Sequence, residues 1–240
     1  MHYTPKDAYQ WKKKPQVVDT LYGKGISIPF TWQYSEGLRM ADRLGTTLIG
    51  GPGATLLGCS SVDGGDIIQF FNPYATFTTR GCIRKCQFCA VPALEGNLRE
   101  LPTWRQAPIV CDNNLLASSH RHFQKVIDTL VPFGWADFNQ GLDFRLLKVF
   151  HLTQFSRIKY PKLRLSFDDI LYESAFVDAV SLIKNSGYKN LSAYVLIGFH
   201  DTPDDALYRL QLCWALGVWP NPMRYQPIDS LKKNSYVEKG

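Results

Sequence analysis

Three of the chain's six cysteines, Cys82, Cys86 and Cys89, fall within eight residues as C-x3-C-x2-C, with Phe88 directly before the third. Cys59, Cys111 and Cys213 stand apart. The chain opens Met1-His2-Tyr3-Thr4-Pro5, without the apolar stretch of a secretory signal, so clustered thiols point to a metal and not to a disulfide framework. A zinc site asks for four ligands, commonly in paired knuckles, and no Cys or His pair nearby supplies the fourth. A four-iron cube held by three thiolates instead leaves one iron open to a substrate or cofactor, which is a catalytic arrangement. Cys111, in the run Ile109-Val110-Cys111, and Cys213, beside Trp214, read as buried thiols.

The rest of the chain must position these thiols. Its 240 residues are 45% hydrophobic and 20% charged, which excludes disorder and gives room for one large domain with a small appendage. No apolar run approaches the roughly 18 residues of a membrane helix. A cytoplasmic protein without a membrane partner is expected. Lys plus Arg exceeds Asp plus Glu by 27 to 21, a bias that tolerates anionic partners without demanding them.

From residue 75 onward, strand-like runs at 75–79, 108–112, 135–139, 163–167, 191–198 and 222–226 start 27–33 residues apart, the length of a βα unit. Between them Phe123, Val126, Ile127 and Leu130 follow helical spacing, as do Phe176, Ala179, Val180 and Ile183. The last helix is punctuated by Thr202 as N-cap, Pro203 at the first turn, Asp205 three residues on and Gly217 after its end. Six units are too few for a closed eight-stranded barrel, so the expected fold is α/β, an open partial (β/α)6 TIM-like barrel over residues 75–240. Parallel sheets place their ligand sites at the carboxyl ends of the strands. Residues 1–74 read as a small N-terminal βαβ appendage: a strand at 25–30, a helix at 35–44, a strand at 46–50 and the turn Gly50-Gly51-Pro52-Gly53. Pro52 removes a donor N–H and no helical pattern follows directly, so the turn reads as structural and not as a phosphate cradle.

The C-x3-C-x2-C motif with Phe88 before its last cysteine, after the first strand of a six-unit βα sheet, closely resembles the radical S-adenosylmethionine (SAM) superfamily over residues 75–227. The resemblance implies that Cys82, Cys86 and Cys89 bind a [4Fe-4S] cluster whose open iron chelates S-adenosyl-L-methionine, and that the enzyme generates a 5′-deoxyadenosyl radical. It also implies an electron donor of the flavodoxin or ferredoxin type. Asp112-Asn113-Asn114 stands where the family holds the SAM amino group, and Asp112 is the natural acceptor for an ammonium. Ser166 and Asp168 match the polar residues aimed at the ribose and carboxylate. Ile197 and Gly198, in Leu196-Ile197-Gly198-Phe199, match the segment whose backbone meets the adenine, and Tyr225 and Gln226 close the sixth strand where the adenine is capped.

Within the superfamily, Cys86 to Pro92 followed by Glu95-Gly96 resembles the branch of cobalamin-domain and methylthiotransferase-like members. Residues 1–74 look like the truncated second half of such a domain, without its Asp-x-His-x-x-Gly loop, so cobalamin is not expected. Several polar residues keep two readings. Asp168 and Asp169 could cap the helix that begins near Tyr172. Asp143 and Arg145 are a surface ion pair or a carboxylate contact at the strand mouth. Arg80, Arg84 and Lys85 are solvated loop charges or tune the cluster. Against the enzyme stand a non-catalytic iron–sulfur redox or binding protein and a zinc module lacking its fourth ligand. With no second cysteine cluster, sulfur insertion is disfavoured, and the substrate is a nucleic acid or nucleotide or else a small metabolite. Lys12-Lys13-Lys14 and six tryptophans favour the base-bearing choice.

Overall fold

The computed structural model describes residues 4–61 and 67–235. The N-terminal part carries β1 (Gln16–Thr20), β2 (Gly23–Ser27), α1 (Tyr34–Leu44), β3 (Ile49–Gly50) and two short helices, α2 (Pro52–Leu56) and α3 (Ile68–Phe71). The larger part follows with β4 (Ala75–Thr76), β5 (Thr79–Arg80), α4 (Val91–Leu94), β6 (Arg99–Glu100) and β7 (Ile109–Val110). Strands and helices then alternate: α5 (His120–Leu130), β8 (Trp135–Phe138), α6 (Val149–Phe155), β9 (Tyr160–Ser166), α7 (Glu173–Asn185), β10 (Leu191–Ile197), α8 (Pro203–Ala215) and β11 (Trp219–Arg224).

The main sheet has six parallel strands in the order β4-β7-β8-β9-β10-β11. Spatial order follows chain order without reversal, so the sheet is not doubly wound, and β4 and β11 are its edges. Parallel neighbours need a crossover, and α5 to α8 supply it for the last four pairs. The first connection departs from the expected βα unit. Instead of a long helix it contains α4, closed at its base by the antiparallel pair β5 and β6. The cysteines lie inside this loop. The expected sixth strand begins earlier, at Trp219, because Pro220 and Pro222 sit on an edge strand where a missing N–H is tolerated.

Alternation along the strands divides the sheet into two faces. Leu163 and Leu165 of β9 join Leu191, Ala193 and Val195 of β10 in one core with the helix stripes Phe123, Val126, Ile127, Leu130 and Phe176, Ala179, Val180, Ile183. Each fully buried Leu, Ile, Val or Phe among them is worth roughly 1.5–3 kcal/mol. The residues between them are polar. Asp137 of β8 is fully buried and receives two 2.6 Å hydrogen bonds from Arg164 of β9, with Lys162 at 3.6 Å. Nearer β4, this second face is apolar and is covered by the N-terminal segment, since Ala8 packs with Ala75, Ile109, Cys111 and Trp135. Residues near Ala8 therefore belong with the main sheet, although they precede the expected boundary at 74.

The appendage contains the expected βαβ unit, with β2 and β3 parallel, plus β1, an antiparallel partner of β2 that the sequence reading lacked. Ile26, Ile28, Ala41 and Ala54 form its own small core. A one-turn helix, α2, does follow the Gly-rich turn, contrary to expectation, and the turn itself is bonded down: Gly53 donates to the carbonyl of Ile28 at 2.9 Å. Cys111 and Cys213 are buried, and Cys59 is exposed. Among the described residues, no helix is long and apolar enough to cross a membrane.

The capping box at Thr202 and Asp205 forms as read, and α8 carries one unforeseen residue. Arg209 is 1% exposed and donates to the carbonyls of Phe167 and Leu196 and to the carboxylate of Asp201, at 2.7–2.9 Å. It thereby ties the carboxyl ends of β9 and β10 together. Arg209→Met would strand a carboxylate and two carbonyls, so we expect a loss of about 3–5 kcal/mol in a denaturant titration with unchanged slope. A loss below about 1 kcal/mol would show that the clasp is not structural.

Candidate functional site

At the carboxyl ends of the strands lies a cleft of about 480 Å³ lined by Cys82, Cys86, Phe88 and Cys89 together with Asn113, Asn114, Ser166 and Asp168. Eight of the residues singled out by sequence thus meet in one place.

The cysteine loop begins on a buried carboxylate. Asp112, just past β7, accepts hydrogen bonds from the N–H groups of Thr78 at 2.6 Å and Thr79 at 3.0 Å and from the Thr78 hydroxyl. Asp112, the residue expected to face a ligand's ammonium, has its oxygens engaged with the loop and is not among the residues that line the cleft. Gly81 follows with φ +76°, where a Cβ would stand 2.1 Å from the carbonyl oxygen of Asn97, so only glycine lets the two limbs of the loop touch. Glu95 closes them by accepting from Gly81 N–H at 2.7 Å and from Asn113 at 2.9 Å and by pairing with Arg80 at 3.1 Å.

Polar hydrogens surround the sulfurs. Cys82 Sγ accepts from the Arg84 N–H at 3.2 Å and the Asn114 amide at 3.6 Å, and Cys89 Sγ from the Val91 N–H at 3.4 Å. All three thiols are half-buried and free. Burial, with the negative charge of Asp168 next, raises the pKa of Cys86, and burial raises that of Cys89. Among the described residues, no three His, Cys, Asp or Glu side chains converge as ligands of a single ion.

Asp143 anchors part of the cleft wall. Its carboxylate pairs with Arg145 at 2.6 Å and Arg84 at 2.9 Å and accepts from the Asn114 amide at 3.3 Å. Burial pushes its pKa up, but the hydrogen bonds from Arg145 and Arg84 outweigh this and bring it below the ordinary carboxylate range. Arg84 and Arg145 are thus engaged at the cleft and are not merely solvated. The two acids considered as caps divide: Asp169 accepts from the Leu171 N–H at 2.9 Å, whereas Asp168 lines the cleft, its pKa raised to about 6 chiefly by burial. The Asn114 amide bonds through its nitrogen alone, and its side-chain oxygen is left buried without a partner among the described residues.

The adenine-side residues stand beyond the cleft. Ile197 accepts from the Tyr225 N–H at 2.8 Å, and Gly198 donates to Asp201 at 2.7 Å. Tyr225 meets Phe199 edge-on at 4.7 Å, and Phe199 meets Phe88 at 5.6 Å, so one aromatic file joins the sixth strand to the cysteine loop. Gln226 turns away, bonded to Lys232 and Asn234. Sequence reading missed Asn139, Gln140, Gly141, Tyr194 and Met223, which also line the cleft. Gly141 was the available signal: it follows the third strand of the sheet, has φ +91°, and a Cβ there would lie 2.3 Å from Ser166 Oγ.

No protein-family model, curated protein or solved structure matches this chain.

Burial raises the pKa of Asp112 from 3.8 to about 6, despite its three donors. Between those values the folded chain binds more protons than the unfolded one, so stability falls as pH rises through the window and levels off above it. Asp112→Asn removes that titration. Its melting temperature should decline less than the parent's between pH 4 and 6.5, the difference corresponding to ~3 kcal/mol at most. Asp168 leaves a residual slope in both proteins, and parallel curves for the two would refute the assignment.

Proposed function

We propose that the chain is a radical SAM enzyme built on an open partial (β/α)6 barrel. The observation that carries this reading is the single cleft at the carboxyl ends of the sheet that holds all three cysteines, Phe88, Asn114, Ser166 and Asp168. The sequential, open strand order supports the barrel half of the reading.

The donor set fits a [4Fe-4S] cluster. Three free thiols on one loop suit soft iron–sulfur chemistry, and thiolates that each serve a different iron need not converge on one ion. Cys82, Cys86 and Cys89 would hold it. The buried Asn114 oxygen suits the ammonium of SAM better than the engaged Asp112, and Asn113, Ser166 and Asp168 supply further polar contacts in the same cleft. A cluster and SAM held there would supply radical hydrogen abstraction from an unreactive C–H bond, with one electron from an external donor splitting SAM into methionine and a 5′-deoxyadenosyl radical.

The chain's own residues do the rest. The N–H groups of Arg84 and Val91 and the Asn114 amide donate to sulfur, which stabilises thiolate charge and raises a cluster's potential. Arg84 and Arg145 hold the Asp143 carboxylate rigid, and that carboxylate in turn orients the Asn114 amide. Phe88 gives the cleft an apolar ring, backed by Phe199 and, behind it, Tyr225. Closely spaced free thiols fit a reducing cytoplasm, and the half-exposed Arg84 with neighbouring Lys85 offers charge to an acidic flavodoxin- or ferredoxin-type donor.

Anaerobic reconstitution should give about four irons per chain, lost on replacing any one of Cys82, Cys86 and Cys89 by Ala. Stoichiometric zinc with no iron would overturn the reading. With dithionite and SAM, the reconstituted protein should release 5′-deoxyadenosine without added substrate. Asn114→Ala should keep its iron yet bind SAM about 10–100-fold more weakly, the loss expected when a charged group forfeits its acceptor. Unaltered SAM affinity would remove Asn114 from the site.

A further inference from the structure

A second cleft, of about 1040 Å³, is larger than the one with the cysteines. It opens at the amino ends of β8 to β11, where Trp135, Tyr160, Leu191 and Trp219 begin their strands. Nothing in the cysteine site uses it.

Its charge is one-sided. Lys159, Lys162, Arg164 and Lys189 line it, and among the described residues no Asp or Glu does. Behind the wall, Asp137 answers Arg164 and Lys162 together, so four cations face one carboxylate. Lys159 and Lys189 are in no ion pair among the described residues. Burial, the first cause, lowers the Lys162 pKa, so an incoming anion would relieve a real cost there.

Its rim is aromatic and exposed. Trp214 at the end of α8 and Trp219 at the start of β11 are 65% and 62% exposed, with ring centroids 5.5 Å apart. Tryptophan is highly buried on average, so two neighbouring exposed indoles on a cleft mark a surface that meets something flat. Inside, Ser192 lines the cleft at 9% exposure, and its hydroxyl has no hydrogen-bond partner among the described residues.

We propose that this cleft binds a nucleotide, with the exposed indoles stacking on its base and the lysines and Arg164 meeting its phosphate. Cations alone would take any anion. The indole pair adds selection for a planar ring, which a peptide carboxylate or inorganic phosphate lacks. The same chemistry is offered by a free nucleotide and by a nucleotide within a single strand, but not by a duplex, whose bases are already stacked. The site is separate from the cysteine cleft and does not depend on iron.

The test uses the full chain, with and without reconstituted iron, and a fluorescently labelled ten-nucleotide single strand in a salt series. Binding should be equal in both iron states. Trp214→Ala with Trp219→Ala should weaken it about 5–100-fold. Lys159→Ala with Lys189→Ala should reduce the slope of log affinity against log salt by about 1.4, near 0.7 for each phosphate that is no longer neutralised. All four side chains can be removed without opening the core, and circular dichroism and melting temperature verify this for each variant. Competition by a mononucleotide assigns the free nucleotide, and failure of that competition with the strand still bound assigns the strand. The proposal is overturned if tripolyphosphate or a poly-glutamate peptide competes as well as nucleotides do. It is equally overturned if both double variants bind like the parent while a Lys12, Lys13, Lys14 triple Ala variant loses binding. Absence of binding at low salt overturns it without touching the iron and SAM measurements.

Discussion

A buried carboxylate receiving three hydrogen bonds governs the geometry of the cysteine loop. Asp112 lies just past β7, and Thr78 and Thr79 lead from β4 into β5, so their bonds fix the first strand's exit against its neighbour. Elsewhere in the sheet a long helix does this work by packing each crossover against the core. The first crossover has only the four residues of α4 and must be held by side chains instead. Burying the acid is costly, as its raised pKa records, and the cost is localised where a loop of eighteen residues between β5 and β6 has to keep one shape. Gly81 and Glu95 complete the hold by letting the loop's limbs touch and then bonding them.

The second face of the sheet follows a different rule from the first. Apolar residues toward the helices make an ordinary core, whereas Asp137, Lys162, Arg164 and Tyr194 run through the other side. A sheet fully covered on both faces would exclude these groups, since an unpaired buried charge costs several kcal/mol. They persist because they are paired with each other and flank open space at both strand ends. Arg164 lines the amino-end cleft while its guanidinium lies 5.8 Å from the ring of Tyr194, which lines the carboxyl-end cleft. The two clefts therefore share one polar wall. Arg209 on the helical side closes the same strand ends that the cleft requires to be fixed.

The α/β alternation and the helix stripes were legible in the sequence because each rests on periodicity, whereas the meeting of the cysteines with Asn114, Ser166 and Asp168 was implied by the resemblance that the C-x3-C-x2-C motif carries and not by spacing. β1 was not, since Gln16–Thr20 shows little alternation and one buried residue. β11 was misplaced because two prolines argue against a strand unless its edge position is known. Asp112 was legible as a polar residue at a strand end, but residue type cannot tell a ligand acceptor from a loop anchor. Its partners come from 33 and 34 positions earlier in the chain. Likewise Arg84 and Asp143 are 59 residues apart, and their pairing exists only once the sheet has formed.

These contacts bear on how a metal could enter. Burial holds the Cys86 and Cys89 thiols above their ordinary pKa, so they are protonated at neutral pH and must release protons to bind iron. In a zinc finger such ligation is also the folding step, because little else orders the chain. Here the loop is closed by Asp112, Glu95 and the β5–β6 ladder, none of which involves a sulfur as a hydrogen-bonding or metal-binding partner. The contacts that close the loop thus run through carboxylates and backbone and not through sulfur.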